Sequence, residues 1–282
     1  MAVTMVSKGA TGVELSIAQE RSGLTVRGYT SVLREVLGSL EAIDRLVVRT
    51  RSPRLTWIIG DVSANGSVRA TLVPRPVAPS RPAATAERAP YALAHGVGAL
   101  LQEPAIPEYF SEDVVRRVQR VGEKVGSEGI SGITVGAVRL GKIVTSSELT
   151  RDTAINAGQA VLPVSSAQSS VSGVLNLLSV KREKLRAVIE EEKSHLSVVC
   201  EIDAVPKGQV RELWGERVTA WGSLTRNTRG QPIRLTVEGL ELASADAARP
   251  PRLTARQLLG IAPNWTGELT TQEYMDQMRR RA

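Results

Sequence analysis

Gly136-Ala137-Val138-Arg139-Leu140-Gly141-Lys142 has the glycine and lysine spacing of a loop that cradles a nucleotide's phosphates. Such a loop needs a Ser or Thr after the lysine to hold magnesium, and a helix whose first amides meet the anion. Ile143 stands at that position and the stretch alternates like a strand, so the spacing predicts a β-turn at Gly141-Lys142 and no nucleotide hydrolysis. His95-Gly96-Val97-Gly98 carries two glycines of a dinucleotide fingerprint but lacks the third and a preceding strand. In its helical pattern it predicts a close packing point. Cys200 falls on the inward parity of an expected strand, where a free thiol behaves as a small hydrophobe; a nucleophile would need an exposed, cationic setting beside a base. His195 precedes that strand in a charged turn and is expected in solvent. Glu190-Glu191-Glu192 has the charge to hold a cation and reads as a solvated turn. These groups form no catalytic constellation. The sequence therefore predicts a non-enzymatic protein with no cofactor and no metal site.

Net charge supplies the first positive expectation. Lys plus Arg number 36 against 29 acids, a formal +7, and most of the cations are arginine. That excess favours an acidic partner, either nucleic acid or an acidic protein surface. No apolar run approaches the roughly 20 residues of a membrane span. Met1 to Ala10 lacks an apolar signal core, so a cytoplasmic location is expected. A single cysteine excludes an internal disulfide framework within the 282 residues.

The elements that would position any site follow from periodicity. Val13, Leu15 and Ile17 alternate as a strand. Between Thr25 and Val48, Tyr29, Val32, Leu33, Val36, Leu37, Leu40, Ile43, Leu46 and Val47 recur at three- and four-residue steps, which predicts one long amphipathic helix. Strands at Leu55 to Val62 and Ser67 to Val73 flank an Ala64-Asn65-Gly66 turn. The predicted class is α+β: a β-α-β-β region over 1–74, a Pro-rich linker over 75–90, and a mixed α/β segment over 91–165. That segment holds helices at Tyr91 to Gln102 and from Ser111, the latter capped by Ser111, then a hairpin turning at Gly141 and a helix at Glu148 to Val161.

Residues 166–244 predict five strands in the order β-β-β-α-β-β, with one helix at Pro206 to Trp214. This order is similar to that of an OB-fold, a five-stranded Greek-key barrel. Gly173 would let the long first strand bend to serve both sides of the barrel. OB-folds grip oligonucleotides with two particular loops. Here one carries Lys181, Arg182 and Lys184, and the other Arg226 and Arg229. Trp221 has the outward parity, where a base could stack on it. Nucleic acid on these residues is one of two binding expectations.

The other is a protein partner held by the tail, 245–282. After a Pro250-Pro251 break, helices are expected at Thr254 to Leu259 and from Thr271 to Arg281. Trp265, Tyr274, Met275 and Met278 would be apolar anchors, and Arg279, Arg280 and Arg281 a basic rim. Gln257-Leu258-Leu259-Gly260-Ile261-Ala262-Pro263-Asn264 and Thr270-Thr271-Gln272-Glu273-Tyr274-Met275, following the barrel, resemble a group of uncharacterised bacterial proteins. Their tails are in turn similar to those of antitoxins paired with small ribonuclease toxins. The resemblance covers about the last 110 residues and implies an antitoxin-like regulatory protein whose partner is such a toxin.

Overall fold

Strict apolar alternation makes a central strand of β1 (Gly12–Gln19): Val13, Leu15 and Ile17 are fully buried on one face, and Glu14 and Ser16 take the other. The computed structural model describes residues 11–21, 23–48, 55–77, 86–181, 184–191 and 194–243. Helix α1 (Val26–Val48) buries Val32, Val36, Leu40, Ile43 and Leu46 along one stripe, leaving Arg34 and Glu41 exposed. The Thr25 hydroxyl accepts from the Gly28 amide at 3.0 Å and opens the helix. Strands β2 (Leu55–Ala64) and β3 (Ser67–Pro76) turn at Asn65-Gly66, where Gly66 supplies a φ of 69°.

Helices α2 (Arg88–Gln102) and α3 (Glu112–Gly122) follow, then β4 (Ile130–Arg139), β5 (Lys142–Leu149) and α4 (Arg151–Ala160). Ser111 caps α3, its hydroxyl accepting from the Val114 amide at 3.4 Å. Helix α4 starts later than the spacing predicts, because β5 continues to Leu149 and Thr150 and Thr153 form a reciprocal cap. The hairpin at Gly141 is present, as is the helical packing point: a Cβ at Gly96 would collide with the ring of Phe110.

All five strands join one antiparallel sheet in the order β2-β3-β1-β4-β5. Leu15 faces Ala70 on one side and Val135 on the other. The segments before and after the Pro-rich stretch are therefore a single layer, since β1 lends its two edges to β3 and β4. A core of Val13, Leu15, Ile17, Leu40, Leu93, Phe110 and Val118 joins this sheet to its helices.

The remaining strands are β6 (Ser165–Lys181), β7 (Lys184–Glu191), β8 (Ser197–Ile202), β9 (Arg217–Arg226) and β10 (Pro232–Leu242), with α5 (Lys207–Glu212) between β8 and β9. They close a barrel in the order β10-β8-β7-β6-β9, with β8 and β10 parallel and the other pairs antiparallel. The first half of β6 pairs with β9 and the second with β7, and Gly173 belongs to both ladders. A side chain there would strike the Glu190 carbonyl, so the expected bend needs this glycine. Val171, Leu175, Ile189, Cys200, Ala220, Leu235 and Val237 fill the interior, with Val210 and Leu213 at the helix in the same core.

The chain divides into two units, Met1–Leu242 and Ala243–Ala282. Beyond Ala243 the second unit, with its two expected helices, lies outside the described residues. Among the described residues no helix is long and apolar enough to cross a membrane.

Candidate functional site

The parity that sends Val218, Ala220 and Leu224 inward turns Trp221 out, and its side chain is 40% exposed. In register it lies between Ser170 of β6 and Gly239 of β10. The indole covers Gly239 so closely that a Cβ at that glycine would overlap the ring. Around it the outer face carries hydroxyls, an amide and a carboxylate: Ser166 bonds Ser223 at 2.8 Å, Ser172 bonds Thr219 at 3.0 Å, and Gln168 donates to Glu238 at 2.9 Å. A flat aromatic platform on a nearly neutral ground is what these strands present to solvent.

Two of the arginines expected to contact phosphate, Arg226 and Arg229, have partners within the fold. Arg226 donates to the Gly230 carbonyl at 2.7 Å across its own turn, and Arg229 pairs with Glu103 at 2.7 Å. Arg234 donates from Nη2 to both oxygens of Glu112 at 3.0 and 2.8 Å, and its Nη1 lies 3.8 Å from Glu201. Arg186 takes Glu201 at 2.8 Å, and Arg116 takes Glu112 at 3.0 Å. The hydrogen bond that Arg234 donates to Glu112 raises the Arg234 pKa above its ordinary value, so that charge is fixed. Lys181 and Lys184 end β6 and begin β7, with side chains outside the described residues, as is Arg182. The expected anchors Trp265, Tyr274, Met275, Met278, Arg279, Arg280 and Arg281 also lie outside them.

The β9–β10 turn is an internal brace, a role its sequence did not announce. Asn227 is buried and uses its whole amide: Nδ2 donates to the Ala160 carbonyl at 2.8 Å and to Gln231 Oε1 at 3.0 Å. Its Oδ1 accepts from the Arg229 and Gln231 amides at 3.0 and 2.9 Å. Gln231 then pairs with the backbone of Ile106, accepting from its N–H at 2.8 Å and donating to its carbonyl at 3.1 Å. One barrel turn thus ties the end of α4 and the loop after α2 together.

The outer face of β7 and β8 is closed as well. Val188 and Val199 pack on Leu46 of α1, and Ser197 bridges to Ser111 at the start of α3. Glu190 corrects the expected solvated turn: it is buried, accepting from Asn176 Nδ2 at 3.0 Å, because its parity on β7 points it at the covered face. His195, expected in solvent, is about half exposed; its ring stacks on Tyr109 at 5.9 Å, and Nδ1 faces Glu190 at 3.5 Å. Burial inside the barrel pushes the Cys200 thiol up to about 12, which keeps it neutral. A thiol reagent at pH 8 is expected to leave the native chain unlabelled and to modify it in urea. Labelling of the folded chain within minutes would contradict the inward placement.

These features define an α+β protein in which a closed five-stranded barrel is braced by hydrogen bonds and ion pairs against a helix-covered sheet. No family model and no curated protein matches the chain.

Proposed function

We propose that the protein is a non-enzymatic interaction or regulatory protein, antitoxin-like in its tail, that holds a protein partner through residues 245–282. In this reading the barrel is OB-like: the strand order, the parallel β8–β10 pair and the helix after β8 support that. An OB-fold uses its second and third strands and two loops to bind oligonucleotides. The observation that carries the choice of partner is the fate of that surface. Its strands lie under α1 and α3, and Arg229, Arg234 and Arg186 are matched by Glu103, Glu112 and Glu201. The barrel and sheet then serve as a scaffold for a cytoplasmic bacterial protein. The tail supplies Trp265, Tyr274, Met275 and Met278 as anchors and Arg279 to Arg281 as a rim. A partner with an apolar groove and an acidic border fits this chemistry, and the tail resemblance suggests a small ribonuclease toxin. A pull-down with the full chain and with one ending at Ala248 tests it: the partner is expected to be lost on truncation. Equal recovery would remove the tail from the mechanism.

The exposed Trp221 favours a second reading, in which single-stranded nucleic acid stacks on the barrel with help from Lys181, Arg182, Lys184, Arg226 and Arg229. Absence of binding to a labelled oligonucleotide at low salt would end it.

A further inference from the structure

We propose that the cleft between α2 and the Pro107–Tyr109 loop is a binding site for a planar aromatic small molecule bearing an anionic group. The cavity measures about 790 Å³ and lies away from the Trp221 face, between α2, the β4–β5 hairpin and the last turn of α1. That size falls within the few hundred to about 1,000 Å³ usual for small-molecule sites. Ala92, Gly96, Ala99 and Ala137 are among its lining, and such small side chains leave room for a ring system.

Aromatic rings stand on both sides. Tyr91 and His95, one helical turn apart, stack at 6.0 Å with their planes 18° from parallel, and Tyr91 is exposed. Across the cleft Tyr109 is backed by the stacked ring of His195. Both Tyr109 and His195 adopt left-handed backbone, φ 61° and 52°, which side chains other than glycine rarely do. The Tyr109 amide donates to the His195 carbonyl at 3.3 Å, which locks the two residues together. The backbone strain is met by a contact that fixes where the Tyr109 ring sits. Paired, pre-positioned rings suit a conjugated ring system, which gains from stacking on either side.

Charge sets the polarity of the occupant. Arg139 pairs with Glu87 at 3.3 Å, and both side chains are largely exposed. Neighbouring Arg88 makes no ion pair among the described residues. The α2 start of the cleft therefore carries two cations against one carboxylate, and an anionic group placed there would meet Arg88 first. Glu108 lies on the loop side and disfavours the reverse orientation.

The probe is 8-anilinonaphthalene-1-sulfonate, an aromatic anion built on a flat naphthalene ring, titrated into the full chain with fluorescence as the readout. Saturable binding at one site is expected, weakened about tenfold by Arg88→Glu and severalfold by Tyr91→Ala. Both residues are exposed, so circular dichroism should be unchanged. Trp221→Ala, on the barrel, should leave the affinity as it was. Uncharged N-phenyl-1-naphthylamine should bind more weakly than the sulfonate. Lack of saturable binding would overturn the proposal. So would an affinity indifferent to both α2 substitutions, or one lost with Trp221→Ala.

Discussion

Replacing Asn227 with alanine is expected to lower the unfolding free energy by about 2–4 kcal/mol. The amide makes four hydrogen bonds in a buried position. Each contributes about 1 kcal/mol net, and a buried group left unpaired costs about 1–3 kcal/mol. The Arg229 amide, in an exposed part of the turn, can recover water, which keeps the loss below a simple sum. The Ala160 carbonyl at the end of α4 loses its donor, while Gln231 Oε1 loses one of two and keeps the Ile106 N–H. Arg229→Ala is the contrast. Its ion pair with Glu103 is half exposed on both sides, so the change should stay within about 0.5 kcal/mol. Urea unfolding of the two variants measures both. Equal midpoints would mean that the turn does not brace the α/β layer.

The second large effect falls on Glu112. It is only 6% exposed, and it receives both Arg234 and Arg116. Breaking a buried ion pair by removing one partner costs about 3–5 kcal/mol when the remaining charge is stranded. Arg234 and Arg116 are each about two-fifths exposed and keep part of their hydration, which reduces the expected loss to about 2–3 kcal/mol for Glu112→Ala. Arg234 also retains Glu201 at 3.8 Å. The carboxylate stands in the first turn of α3, where it complements the helix dipole as well. Glu112→Gln keeps the shape and a hydrogen-bond acceptor and should lose less. A midpoint in Glu112→Ala that matches the parent would show the network to be a surface decoration.

Local periodicity made most elements legible. The outward turn of Trp221 and inward turn of Cys200 follow from a repeat of two, and the Ser111 cap from the acids that follow it. The placement of β1 between β3 and β4 was not legible, because both pairings are long-range and the sequence between them reads as a divide. The same distance hid the brace. Asn227 meets Ala160 across 67 positions, and Gln231 meets Ile106 across 125. Both amides read locally as ordinary hairpin-tip residues. One signal was present. Val188 and Val199 are apolar at the outward parity of strands whose inward parity is also apolar. The rest of that parity is charged or polar, Arg186, Glu190, Ser197 and Glu201, so the two valines form a local patch and not a second apolar face. The patch is where Leu46 of α1 packs.

Arg226 and Arg229 are engaged within the fold, and under the proposed function they leave ligand binding to other parts of the chain. The decisive experiment titrates a labelled single-stranded oligonucleotide over a range of salt, with the parent chain and with Arg226→Gln/Arg229→Gln. Each phosphate contact adds about 0.7 to the slope of log K against log salt for a single strand. The same slope is expected for both proteins, whatever the affinity. A slope that flattens by about 1.4 in the double variant would place both arginines on phosphate and contradict it.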